Sequence, residues 1–444
     1  MSQTISFKHI NKLAIPALIS GVSEPLLSLT DAAIIGNMAN NATVSLAAIG
    51  IVTTFISMLI WVLGQTRSAI SSIVSQYLGA KNIDAVKDLP AQAIVIITAL
   101  SLLIITVTYP LATPIFKLYN ASGQILEYSV NYYHIRVLGF PFTLFTIAVF
   151  GTFRGLQNTF HPMIIAILGA LVNIALDVIL VYGISDIIPA MHIEGAAWAS
   201  VIAQLFMALL SGHYLMVKTN IPLRLSWPFN KEIKRFTLMI LNLFVRTLAL
   251  NIALFFATSF ATSYGETYIA AYTIAINLWF LGAFLIDGYA SAGNILSGKL
   301  YGAKDYKTLL KLSNQLILYG IAVGALMCII GFLTYYPIGR IFSNDLNVLE
   351  KFREIFWMVL LMQPLCALAF IFDGVFKGLG WMRYLRNLLL CSTVLVFVPI
   401  IFIADYYNLK LHGIFLAFAF WIIARGLPLI LKFRRTFTAL VQNN

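Results

Sequence analysis

The chain holds 444 residues, 60% of them apolar and 10% charged, with a net charge of +12 from 29 Lys and Arg against 17 Asp and Glu. A soluble domain carries about a quarter charged residues, so composition excludes a water-soluble enzyme. The basic excess is not a nucleic-acid footprint either, because the basic residues occupy short gaps between apolar runs instead of clustering on one solvated face.

At roughly 20 apolar residues per helix, the composition fills on the order of a dozen transmembrane spans. Lys8 and Lys12 precede an apolar run that continues to about Gly36, with Glu24 and Asp31 inside it and no A-x-A-like cleavage site. It reads as a retained first span with a cytoplasmic N-terminus, not a signal peptide. Apolar runs then predict helices over 13–36, 46–77, 91–116, 130–153, 162–183, 195–217, 236–262, 268–297, 313–335, 354–376, 386–404 and 412–432. An even count returns the C-terminus to the cytoplasm. With alternate loops inside, twenty Lys and Arg fall on the cytoplasmic side and six outside, Arg136 among the six, leaving Arg67, Arg246 and Arg425 within spans. That asymmetry supports the orientation.

Cys328, Cys366 and Cys391 lie within apolar runs without metal spacing and read as small core residues. No H-E-x-x-H pair offers an intramembrane metal site, and no G-x-x-x-x-G-K-[ST] loop offers a phosphate cradle. Energy for any active transport therefore comes from an ion gradient.

The two halves match. Leu46-Ala47-Ala48 aligns with Ile269-Ala270-Ala271, Gly79-Ala80-Lys81-Asn82 with Gly302-Ala303-Lys304-Asp305, and Phe153-Arg154-Gly155-Leu156 with Phe376-Lys377-Gly378-Leu379, each at an offset of 223. A constant offset implies two six-helix repeats. Six is even, so both insert with the same orientation, a secondary-transporter plan with its site between the halves. The expected organisation is an N-lobe over 1–217, a solvated cytoplasmic linker over 218–235 and a C-lobe over 236–444.

Five acids fall within spans: Glu24, Asp31, Asp177, Asp287 and Asp373. A charge at the bilayer centre costs roughly 2.5 to 3.5 kcal/mol on insertion scales, so each needs a partner or a function. In the second half Asp287 and Asp373 balance Arg246 and Arg425, which favours structural ion pairs there. In the first half Glu24, Asp31 and Asp177 face Arg67 alone, as a cation or proton site requires. Glu24 and Asp31, seven apart, share a face of the first helix with Ser28 between them, and Asn173 and Asp177, four apart, share a face of the fifth. Converging carboxylates in low dielectric favour one shared proton or one bound cation; the alternative is a hydrogen-bond network that only holds helices together. Pro16 and Pro25 interrupt the first helix and give it either a bendable joint or a static kink. The aromatic residues, 13% of the chain, suit varied flat, cationic organic molecules.

Taken together, Pro16, Asp31-Ala32-Ala33-Ile34-Ile35-Gly36, Gln76-Tyr77-Leu78-Gly79-Ala80-Lys81-Asn82, Asn173-Ile174-Ala175-Leu176-Asp177 and Gly195-Ala196-Ala197-Trp198-Ala199-Ser200 resemble the multidrug and toxic compound extrusion (MATE) transporters. Arg246, Asp287-Gly288-Tyr289-Ala290 and Phe372-Asp373-Gly374-Val375-Phe376 resemble the DinF branch of that family. The resemblance implies an all-α membrane protein: twelve transmembrane helices in two parallel six-helix bundles, related by a pseudo-twofold axis along the membrane normal and facing across a V-shaped cavity. It implies export of cationic or amphipathic compounds in exchange for H⁺ or Na⁺, with no cofactor and no enzyme activity. It makes Asp31 the principal coupling carboxylate, with Asn173 and Asp177 beside it and Ser200 in the place of the family's sixth-helix hydroxyl, commonly Thr. Glu24 stands where some relatives carry a neutral polar residue, which points to a substrate or proton relay with Ser28. Coupling through C-lobe acids, as in another branch, is not matched by Asp373, four residues before Lys377.

The expected partners are a small-molecule substrate and the lipid bilayer, not nucleic acid, for a functional monomer in the plasma (inner) membrane with both termini cytoplasmic. The rival within transport is a lipid-linked oligosaccharide flippase of the same superfamily, which calls for basic cavity residues and often fourteen helices. A polytopic membrane enzyme would need a mid-span nucleophile constellation, and the sequence has none.

Overall fold

A computed structural model of the chain describes residues 5–36, 38, 42–184, 187–343 and 345–442, apart from the side chains of residues 23–29, 32, 42 and 43. Its helices in chain order are α1 (Phe7–Gly36), α2 (Ala42–Leu63), α3 (Thr66–Gly79), α4 (Leu89–Thr108), α5 (Ala112–Leu118), α6 (Gly123–Arg136), α7 (Phe140–Gly155), α8 (Phe160–Tyr182) and α9 (His192–Lys218). The second half holds α10 (Ile233–Ser263), α11 (Glu266–Gly302), α12 (Tyr306–Leu333), α13 (Leu346–Leu379), α14 (Met382–Ser392), α15 (Val398–Tyr406) and α16 (Lys410–Gln442). Among the described residues 11 segments are long and apolar enough to cross a bilayer; α1, 30 residues long, brings the number to the twelve read from the sequence. Helices are the form that satisfies every backbone polar group without water.

Three spans are interrupted, and each interruption has a local cause. Gly64 and Gln65 form a turn between α2 and α3. A 3₁₀ turn over Val137–Gly139 separates α6 from α7, immediately before Pro141, whose ring supplies no N–H to the preceding turn. A π-helical turn over Thr393–Phe397 joins α14 to α15 just ahead of Pro399, widening the helix where a hydrogen bond is missing. By contrast, α1 runs as one helix through Pro16, so the proline does not break it.

The chain divides into two compact units, one of residues 1–18, 75–81 and 238–444, the other of 19–74 and 82–237. The division therefore falls inside α1, just after Pro16. In the first unit small residues let helices approach closely, as in other membrane bundles: Ala249, Ala253, Ala257 and Ala261, one per turn of α10, are all fully buried. The end of α3 lies against the end of α11. A Cβ built on Gly79 would meet the Lys299 carbonyl, one on Gly302 would meet the Gln76 carbonyl, and Gln76 Nε2 donates to the Gly378 carbonyl at 2.7 Å. The repeated glycine motifs thus pack on each other in this unit.

In the second unit Phe116 of α5 meets Phe55 and Tyr133 edge-on or tilted, with centroids 5.3 to 6.1 Å apart, which seats the short helix on α2 and α6. The segment between α9 and α10 is not simply a solvated connector. Buried Gln92 at the start of α4 accepts from Asn230 N at 2.8 Å and donates to the Ser226 carbonyl at 3.0 Å, while Asn230 Nδ2 donates to the Ala85 carbonyl at 2.8 Å.

Candidate functional site

The second unit gathers four predicted polar residues from three helices. Asp31 near the end of α1, Asn173 and Asp177 on one face of α8, and Ser200 of α9 are all buried. Ser200 Oγ donates to Asp31 Oδ2 at 3.0 Å. With its nitrogen turned toward the two acids, the Asn173 amide donates to Asp31 Oδ1 at 3.3 Å and Asp177 Oδ2 at 3.2 Å. Asp31 and Asp177 are electrostatic neighbours, and two carboxylates this close favour one shared proton or one bound cation. Asp177 Oδ1 is buried without a hydrogen-bond partner. Outside this centre, the Tyr182 hydroxyl donates to the Ile34 carbonyl at 2.9 Å and fixes the end of α8 to α1.

Two buried arginines of this unit, one of them beside the cluster, were placed outside spans by the sequence reading. Arg136, counted there on the outer side although the helix predicted over 130–153 contains it, is the last residue of α6 and is only 6% exposed. Its charge acts on both Asp31 and Asp177, and it shares a hydrogen bond with fully buried Tyr132 one turn earlier. Arg154, assigned to a cytoplasmic loop, is also buried and donates to Ser20 Oγ at 3.0 Å. The first half therefore holds Arg67, Arg136 and Arg154 within its spans against Glu24, Asp31 and Asp177, and the acid surplus read from the sequence does not survive. The surplus therefore cannot separate an exporter from a flippase.

Glu24, Ser28 and Pro25 lie outside the described side chains. Pro16 sits inside α1, two residues before the division between the units.

The first unit holds a second ionic cluster of opposite sign. Asp373 of α13 accepts from Arg246 of α10 at 2.5 Å and from Lys377, one turn on, at 2.9 Å, and Arg425 of α16 lies 3.9 Å away. This bears out ion pairing for Asp373. Asp287 is different: the sequence balance paired it with a cation of its lobe, but it is exposed on α11 and makes no salt bridge among the described residues. The cation expected for it is taken by Asp373. Of the cysteines, Cys366 is buried as expected and Cys391 is exposed.

Apolar spanning helices with ionisable side chains buried within them define a polytopic membrane protein, and the family it matches makes it a transporter. The MatE family model matches residues 16–179 and 243–403, and the chain belongs to that family, the multidrug and toxic compound extrusion transporters, on its DinF-like branch. It is 27% identical over 440 residues to DNA damage-inducible protein F of Escherichia coli (strain K12), covering 97% of this chain and 93% of that protein. It is 26% identical over 386 residues to the probable multidrug resistance protein NorM of Thermotoga maritima, covering 84% and 80%. Its fold matches a crystal structure of MATE in the bent conformation with a TM-score of 0.90 at 22% identity, covering 98% of this chain and 96% of that one.

Proposed function

We propose that the chain exports cationic or amphipathic organic compounds by alternating access, in antiport with H⁺ or Na⁺, as a monomer in the plasma (inner) membrane with both termini cytoplasmic. The observation that carries this reading is the partnerless Asp177 Oδ1 inside a buried network of two carboxylates, an amide and a hydroxyl. A buried acceptor without a partner costs about 1 to 3 kcal/mol. A proton or a small cation arriving there removes that cost, so the network binds an ion more tightly than an equally packed apolar site does. The export reading draws on the multidrug resistance relative.

The coupling follows from linkage. Ion binding at Asp31 and Asp177 must favour one conformation and substrate binding the other, or a gradient drives nothing. α1 carries Asp31 and crosses from one compact unit to the other, so it is the element through which the ion biases the protein. Glu24 and Ser28 on the same helix are the proposed relay. The test is efflux from proteoliposomes under an imposed pH gradient and, separately, an imposed Na⁺ gradient. Efflux driven by either one identifies the ion; efflux indifferent to both overturns the antiport reading.

A further inference from the structure

The basic cluster of the first unit holds more positive charge than its structural task requires. Asp373 is already satisfied by Arg246 at one oxygen and Lys377 at the other. Arg425 adds a third cation whose side chain is 5% exposed and whose nearest carboxylate oxygen is 3.9 Å away, beyond hydrogen-bond length. Among the described residues Arg425 donates no hydrogen bond. Its guanidinium instead lies over the rings of Phe370 and Trp421, at 5.3 and 5.0 Å from their centroids. The rings fix the plane of the fork and engage its faces, leaving its N–H edge, with five donors, unused. Three cations around one carboxylate in a low-dielectric bundle are held at a cost that a further anion removes.

We propose that Arg425, with Arg246 and Lys377, forms a site for an oxyanion, namely the carboxylate, phosphate or sulfate of an amphiphile, whose apolar body lies against half-buried Phe370, while fully buried Trp421 backs the guanidinium. The planar fork matches such a group through two parallel N–H···O bonds. The partly exposed Phe370 ring accepts an alkyl or ring system beside it. Zwitterionic and anionic amphiphiles thereby join the substrate class. That the ligand is cargo rests on the export reading above; the binding site does not.

The experiment uses the full chain purified in a neutral detergent, titrated with dodecyl phosphate while tryptophan emission is followed, with dodecyltrimethylammonium and inorganic phosphate as parallel probes. Dodecyl phosphate is expected to bind saturably and about tenfold or more weakly to Arg425→Gln, the scale of a lost charge-assisted pair. Arg425→Lys, which keeps the charge and loses the fork, falls between. Lys377→Gln, which leaves the Arg246–Asp373 pair intact, provides a second loss of affinity should Arg425→Gln fail to fold. Equal affinity of wild type and folded variants for dodecyl phosphate, or equal competition by dodecyltrimethylammonium, overturns the proposal.

Two further arms assign the source of the oxyanion. Phospholipid that copurifies with wild type and not with Arg425→Gln supports a lipid headgroup; gradient-driven movement of dodecyl phosphate in proteoliposomes supports a cargo. Asp31→Asn separates the two readings: dodecyl phosphate that still binds but no longer moves leaves the site standing and places the defect in coupling.

Discussion

The two units bury ionic clusters of opposite composition, and the contrast separates two uses of charge in a membrane. In one unit Asp31 and Asp177 face each other with Arg136 nearby, and one carboxylate oxygen is left without a partner. In the other, Asp373 is held by two cations at hydrogen-bond distance with a third beyond it. A carboxylate with every oxygen engaged by fixed cations holds helices together. Two neighbouring carboxylates can take up or release a proton without dismantling the packing around them. The Asp373 arrangement fixes helices, and the Asp31–Asp177 arrangement is the one the antiport proposal uses for coupling.

Breaking the comparison begins with stability. Asp373→Leu strands three buried cations, and the loss of a buried ion-pair partner costs about 3 to 5 kcal/mol. The expected outcome is little folded protein on size-exclusion chromatography and a much lower melting temperature in detergent; a melt like wild type makes Asp373 dispensable and erases the contrast. Asp31→Asn keeps the shape and much of the hydrogen bonding of the other cluster, so it folds but loses gradient-driven efflux in transport assays. Wild-type efflux in that variant ends the coupling assignment, as does loss of folded protein in Asp177→Asn, which favours a purely structural network.

Smaller effects sharpen the same contrast. Arg136→Met removes the cation beside the two acids and is expected to slow efflux about tenfold, the scale of one lost charge interaction in a buried site, without the collapse seen for Asp373→Leu. The readout is the initial rate at fixed gradient in proteoliposomes. Ser200→Ala removes one hydrogen bond to a carboxylate, about 1.5 to 3 kcal/mol, and Ser200→Thr restores it. Efflux measured for both should fall with Ala and recover with Thr.

Much of this was readable from residues alone. Asn173 and Asp177 interrupt an apolar helix four apart, and Asp31 ends another, so period and chemistry marked each face; their meeting, with Ser200, came from the family resemblance. The repeat offset of 223 marked the halves. Arg136 was misplaced: it falls inside the helix predicted over 130–153, but in its first two turns, where the polar, tyrosine-rich run before Gly139 and Pro141 led it to be counted on the outer side. The helix only pauses there for one 3₁₀ turn and resumes. Arg154 precedes a glycine at the end of its helix and gives the same false boundary. Asp287 failed for a different reason: balancing formal charges within a lobe says nothing about which side chains meet, and three cations converge on Asp373 while Asp287 stays exposed.

The unbroken course of α1 through Pro16 also has a mechanical side. Asp31 lies 15 residues beyond that proline, a lever of about 22 Å at 1.5 Å per residue. Rotating such an arm by about 5° about Pro16 carries its tip about 2 Å, enough to part the Ser200–Asp31 contact of 3.0 Å. Proline supplies the compliance, because its missing N–H removes one strut of the helix at that point. On the proposed antiport reading, a proton-sized change at the tip and a few degrees at the pivot are matched in scale.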